Sequence, residues 1–127
     1  MRRITIHNPS NLDTGNIAAA FLGDGFRDLK SGEEVQLVDP ADQELMFAEV
    51  LNVWAGPMTH VPALLLEMSN DPLQRTFSGL HMHLVARRGP DDEIPTQESP
   101  ISVLVLRPKQ STLIRPTVNQ IRGMSKS

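Results

Sequence analysis

Glu34-Val35-Gln36-Leu37-Val38, the corner Asp39-Pro40-Ala41-Asp42, and Leu45-Met46-Phe47-Ala48-Glu49-Val50-Leu51-Asn52-Val53-Trp54 read as two strands joined by a polar turn. The second strand is long, and its apolar residues Phe47, Val50, Leu51 and Val53 break strict alternation. A half-buried strand keeps a period of two, so the lapse predicts a bulge or bend between Glu49 and Asn52. Bends of this kind let a short sheet curl. The expected fold is therefore α+β: a small mixed β-barrel of about five to six strands, with two or three short helices.

Downstream, Gly56-Pro57 ends the long strand. Thr59 or His60 can cap a helix with Pro62 in its first turn and Leu64, Leu65 and Met68 facing inward. Asn70-Asp71-Pro72 interrupts it, and a short helical turn is expected to run on through Phe77. Leu80 to Arg87 reads as a strand, with Leu80, Met82, Leu84 and Ala86 on one face. A polar loop from Gly89 to Pro100 follows. Ile101 to Leu106 is apolar throughout, the mark of a strand covered on both faces, and Pro108 breaks it.

Upstream, Lys30-Ser31-Gly32 is a turn. Thr14 can cap a helix from Gly15 to Leu22, with Ile17, Ala18, Phe21 and Leu22 on one side and Gly23 and Gly25 at its end. Arg3 to His7 alternates and reads as a first strand closed by Asn8-Pro9. The expected order is strand, helix, strand, strand, helix, strand, strand.

With 127 residues, one domain over 1–108 accounts for the patterned part of the chain, and 109–127 is expected to be a basic, flexible tail. The apolar fraction of 39% lies well above the disordered range. Cysteine is absent, which excludes disulfides, thiolate metal sites and cysteine nucleophiles together. The opening Met1 to Pro9 has two arginines but no sustained apolar run, and no later stretch is long enough to span a bilayer. A cytoplasmic chain without membrane contact is expected. Charge is uneven: from Arg107 onward Arg107, Lys109, Arg115, Arg122 and Lys126 stand without any acidic residue, although the net charge is −3. Such a tail either attracts a partner or lies solvated against the acidic body.

No complete catalytic motif is present. His81-x-His83 on a strand would point both rings to one side, with His7, His60 or Glu49 as a third ligand. The same pair serves equally as a solvated sheet face, and no metal or other cofactor is expected. His60 at a helix mouth suits a general base or a plain cap. Ser78-Gly79 lacks the preceding glycine of a hydrolase elbow, and Gly23-Asp24-Gly25 is a tight turn rather than a phosphate loop. Trp54, the sole tryptophan, can stack a base or fill the core. Arg2-Arg3, Arg75 and Arg87-Arg88 could follow a phosphate backbone or stand as isolated surface charges.

Residues Leu29 to Ala86 resemble the ASCH branch of the PUA-like superfamily. Leu29-Lys30-Ser31-Gly32-Glu33-Glu34-Val35-Gln36-Leu37 is similar to that family's strand entry, and Ala48-Glu49-Val50-Leu51-Asn52-Val53 to its second barrel strand. Val61-Pro62-Ala63-Leu64-Leu65-Leu66-Glu67 resembles the helix that follows, and Ser78-Gly79-Leu80 the return to the sheet. The resemblance implies a pseudobarrel with a cleft for RNA, a modified nucleoside or a related ligand. Some members are amidohydrolases acting on acetylated cytidine and share a G-x-K-T-x-x-x-R type motif. Here Leu22 to Lys30 has no lysine directly after Gly23 or Gly25, so the resemblance implies fold more than activity.

The functional expectation is a non-catalytic module that binds nucleic acid or a nucleotide-like ligand in a barrel cleft through Arg3, Arg27, Lys30, Trp54 and Arg75. The expected partner is single-stranded RNA or a nucleotide-like molecule, with a protein partner reachable through the basic tail. One alternative is an amidohydrolase on a modified nucleoside, using Lys30, Glu49 and His60 as acid–base residues. Another is a structural or partner-binding accessory protein, such as a viral assembly protein.

Overall fold

The computed structural model describes residues 1–12, 15–23 and 25–109. From residue 110 on, the expected basic tail lies outside the described residues, as does the proposed cap at Thr14. Five strands form one mixed sheet: β1 (Arg2–Thr5), β2 (Ile17–Leu22), β3 (Glu34–Val38), β4 (Glu44–Pro57) and β5 (Pro100–Pro108). Their spatial order is β1-β3-β4-β5-β2, so the first two strands of the sequence are the two edges of the sheet. β1 runs parallel to β3, and every other pair is antiparallel. The sheet is curled into a half-barrel of the small PUA-like kind.

The bend expected in the long strand is present. The β4–β5 register shifts between Val50 and Asn52, and a second irregularity falls between Leu37 and Val38 on β3. Around the first, Gly32 N–H donates to Val50 O and Val50 N–H to Glu33 O, 2.7 and 2.8 Å, which ties the preceding turn to the bulged strand. Gly32 sits at φ 92°, the left-handed region that glycine enters without a Cβ penalty.

Two apolar clusters lie on opposite faces of the sheet. Ile4, Val35, Leu37, Ala48, Val50, Leu104 and Leu106 fill one side, joined from the loops by Leu12 and Leu29. Ala18, Ala20, Ile101 and Val103 meet Met58, Val61, Leu66, Leu80 and Leu84 on the other. β5 thus contributes alternate residues to both, and Ile101 to Leu106 are all buried as the continuous apolar run implied.

Two elements differ from the sequence reading. Gly15 to Leu22 is not a helix; Ile17–Leu22 is strand β2, paired with β5 from Ile17↔Leu106 to Leu22↔Ile101. Its alanines fit a strand covered on both sides, where helix propensity is overridden by packing. Conversely, Leu80 to Arg87 is not a strand but part of helix α2 (Phe77–Arg87). Leu80 and Leu84, four apart, are its buried stripe, while Met82 is exposed. Thr76 is its N-cap, accepting from Gly79 N–H at 3.0 Å. Thr76→Ala is expected to cost about 1 kcal/mol, read as a lower urea midpoint; an unchanged midpoint would deny the cap its role.

The Thr59–His60 region also differs. A 3-10 turn (Met58–His60) precedes the short helix α1 (Ala63–Glu67), which has Pro62 at its entry and no side-chain cap. A second 3-10 turn (Pro72–Gln74) follows, capped by Asp71, whose carboxylate accepts from Leu73 N–H at 3.0 Å. Among the described residues no helix is long and apolar enough to cross a membrane.

Candidate ligand-binding site

The curl brings the two sheet edges to opposite walls of one cleft. Thr5 to Asn8, at the end of β1, form one wall, and Ala18 to Phe21 of β2 the other. Ser69, Asn70, Gln74 and Arg87 close it at the helical side. A second hollow adjoins it, sharing His7, Phe21 and Arg87 and continuing to Leu22, Phe26 and Leu84. The half-barrel is open along this seam.

Backbone geometry makes both walls polar. In an extended strand the N–H and C=O of one residue point the same way, and successive residues alternate. Ala18 N–H donates to Met68 O at 3.0 Å, and Ala20 O accepts from Arg87 Nη1 at 3.1 Å. The even residues of β2 therefore turn away from β5, and the Ala20 and Leu22 N–H groups lie on the open edge. Across the cleft, Ile6 N–H bonds Val38 O at 2.8 Å, so the odd residues Thr5 and His7 present their backbone outward. The seam offers donors and acceptors from two strands at once.

A buried polar cluster supports the helical end. Asn70 donates to Asn8 O and Ser10 O at 2.6 and 2.8 Å, pinning the loop after β1. Asp71 is almost wholly buried; Gln74 Nε2 reaches its carboxylate at 3.0 Å and His83 Nε2 stands 3.6 Å away. Burial raises the Asp71 pKa, yet hydrogen bonds from Gln74, Leu73 N–H and Asn8, together with the His83 charge, hold it below the ordinary carboxylate value. Arg87 donates to Gln74 Oε1 at 2.8 Å. Desolvation lowers the Arg87 pKa, partly offset by the Asp71 charge. His7 is pulled below the usual histidine value by desolvation first, then by the positive charges of Arg87 and His83.

One wall is aromatic. The Phe21 and Phe26 rings lie 4.9 Å apart at 58°, and the Arg2 guanidinium sits 5.1 Å over Phe26. Arg2 is itself held by Asp28 at 2.6 Å and by Gly25 O at 2.5 Å.

The residues singled out in the sequence are distributed around the molecule rather than gathered here. Arg3 pairs with Asp42 and Glu44 at the β3–β4 corner, 3.1 and 3.9 Å. Arg27 is exposed on the turn before Leu29, and Lys30 is exposed on the next turn. Trp54 packs on the Met58–Leu80 cluster, with its ring over Gly56. Arg75 is exposed and donates to Ser69 O at 3.0 Å.

The acid–base set is likewise dispersed. Glu49 is engaged by Arg107 across the β4–β5 pair, and His60 lies beyond the far end of the same strand. Glu49 and Pro57 alone are roughly 26 Å apart at the usual strand rise. Lys109, the first residue of the expected tail, pairs with Glu34 at 2.7 Å. His81 and His83 lie on a helix, rotated roughly 200° from one another. His81 bonds Pro95 O at 2.6 Å, while His83 faces Asp71. Among the described residues no group of histidine and carboxylate side chains is placed to hold a metal.

The chain is similar in fold to a solved DUF984 protein. That protein is EF3133 from Enterococcus faecalis V583; its crystal structure superposes with a TM-score of 0.64 over 85% of this chain and 77% of that one, at 11% sequence identity. DUF984 is a family of ASCH/PUA-like fold, so the PUA-like architecture implied by the resemblance of Leu29 to Ala86 is supported at the level of fold. No family model matches the chain, and no curated protein matches it.

The DUF984 likeness carries the architecture, and the cleft residues come from this chain alone. His7, Asp71, His83 and Arg87 are functional candidates that sequence reasoning noticed only as a possible ligand, a helix break, half of a histidine pair and half of an arginine pair. Their one sequence-level signal was polar residues beside strand and helix ends.

Proposed function

We propose that this chain is an ASCH-like member of the PUA-like superfamily and a non-catalytic module that holds a nucleotide-like ligand, free or as part of single-stranded RNA, in the seam between β1 and β2. The observation that carries this reading is the meeting of three chemistries in one cleft. The open-edge N–H groups of Ala20 and Leu22 and the outward backbone of Thr5 and His7 suit the hydrogen-bonding edge of a base. The Phe21–Phe26 wall suits its face. Arg87 supplies a positive charge at the closed end. The reading is non-catalytic because the acid–base set Lys30, Glu49 and His60 stands outside the cleft.

Calorimetric titration of the full chain with nucleoside monophosphates and short single-stranded RNA, at several salt concentrations, tests this. Binding is expected to weaken as salt rises, since a phosphate contact releases counterions. Arg87→Gln should weaken it about tenfold or more, the worth of charge-assisted hydrogen bonds at ~1.5–3 kcal/mol. Arg3→Gln, whose side chain is held by Asp42 and Glu44 outside the cleft, should leave affinity unchanged. Absence of binding at low salt ends the reading, and loss on Arg3→Gln with Arg87→Gln silent moves the site elsewhere.

A further inference from the structure

The charges around the cleft do not balance as most half-buried clusters do. Arg87 makes both of its hydrogen bonds to neutral acceptors, Ala20 O and Gln74 Oε1, and among the described residues no carboxylate lies within 4.0 Å of it. Its Nε is shielded from solvent and has no acceptor. A desolvated cation without a direct counter-ion is costly, and the cost falls when an anion arrives. Asp71 supplies negative charge at longer range, but its oxygens are already occupied by Leu73 N–H, Gln74 and the approach of His83.

The elements around Arg87 present few other charges. β2 contributes only apolar side chains from Ile17 to Leu22. The end of β1 contributes His7, α2 contributes His83 beside Arg87 itself, and the segment before the second 3-10 turn contributes Asp71. Asn8, Asn70 and Gln74 are neutral. With both histidines neutral, Arg87 and Asp71 nearly cancel. Protonation of His7 would leave a second positive charge facing Arg87 across the same hollow, an arrangement that is repulsive when empty and suited to a doubly charged guest.

We propose that the closed end of the seam is a proton-coupled site for a tetrahedral dianion, sulfate- or phosphate-like, held between Arg87 and a protonated His7. This rests on the seam being a ligand site and adds which group enters first and what its entry takes up. Arg87 provides the donors, His7 the second charge, and the Ala20 N–H on the open edge of β2, beside Arg87, a neutral donor. Because burial first, and then Arg87 and His83, disfavour the His7 cation, the empty site is uncharged at His7 near neutrality. The dianion reverses that balance. By linkage, whatever favours the protonated ring must bind more tightly as pH falls.

Sulfate is the probe of choice, since it stays a dianion throughout the range in which histidine titrates. Titration of the full chain with sodium sulfate from pH 8 to pH 5, at constant ionic strength, should show affinity rising as pH falls. The slope should approach about tenfold per pH unit while His7 is neutral, as coupling to one proton requires. The His7 ring signal in NMR should titrate at higher pH with sulfate than with chloride. His7→Gln should hold affinity at its high-pH level with no slope; His83→Gln should keep the slope. Arg87→Gln should abolish binding, and Arg87→Lys, which retains the charge, should weaken binding with the slope intact.

Sulfate affinity independent of pH, a slope that follows His83, or no sulfate binding at pH 5 overturns the proposal. The two readings separate cleanly. Proton-coupled sulfate binding without any nucleotide affinity removes the nucleotide and leaves this site. Nucleotide binding that ignores pH and His7→Gln does the reverse.

Discussion

Gly79→Ala is expected to destabilise the protein by about 3 kcal/mol or more, although it replaces the poorest helix former short of proline with the best. In an exposed helix interior that exchange gains about 1 kcal/mol. Here a Cβ on Gly79 would stand 1.8 Å from the carbonyl oxygen of Leu73, a backbone atom with no freedom to rotate away. Either α2 lifts from the sheet, losing the Leu80 and Leu84 contacts, or the segment around Leu73 shifts. Leu73 lies between Asp71 and Gln74, so the second route also dislocates the polar end of the cleft. Urea unfolding should show a lower midpoint with an unchanged slope. A variant as stable as the parent would mean that α2 and the 3-10 turn do not approach as closely as described.

Asp71→Ala carries the second large effect, about 3 kcal/mol, because it strands the buried Gln74 amide and a part-buried N–H rather than removing a surface charge. Leu73 N–H and Gln74 Nε2 lose their acceptor together, and His83 loses its neighbouring carboxylate. Asp71→Asn should cost less, since one amide oxygen can still accept from Leu73 N–H. The pH dependence follows from the direction of the shift. With the folded-state pKa below the ordinary 3.8, the carboxylate's contribution is complete above that value and is lost as pH falls through the folded one. The stability gap between wild type and Asp71→Asn should therefore close as pH falls through the folded-state value. A gap that persists undiminished in strong acid would contradict the charge state assigned to Asp71.

The parts of the fold that were legible in the sequence share one cause: the pattern reported burial directly. Val50-Leu51-Asn52-Val53 breaks alternation because a bulge is there, and Ile101 to Leu106 is apolar because both faces are covered. The two exchanged elements show where pattern loses its meaning. Ile17-Ala18-Ala19-Ala20-Phe21-Leu22 has helix-forming alanines because a doubly covered strand next to α2 needs small side chains. Leu80, Met82, Leu84 and Ala86 satisfy a period of two, but Leu80 and Leu84 satisfy a helical stripe as well, and Thr76 at the cap decides between them.

The cleft was not legible for a different reason. Its walls come from the first two strands, which are neighbours in the chain yet sit at opposite ends of the β1-β3-β4-β5-β2 order. Only that order makes them face each other, with α2 and Asp71 arriving from the other half of the chain. Arg3, Lys30 and Trp54 were chosen for their chemistry along the strands that could be read. Each is used instead at a corner, on a turn or over a core.

The arrangement of the edges also bears on how any guest is felt by the whole molecule. β1 is attached through a four-residue parallel ladder to β3, the briefest pairing in the sheet. A molecule clasped by Thr5 and His7 on one side and by Ala20 on the other acts as a rivet between the two ends of the sheet. Each occupied rivet resists the fraying of the amino terminus, so ligands can be ranked by the rise they cause in melting temperature.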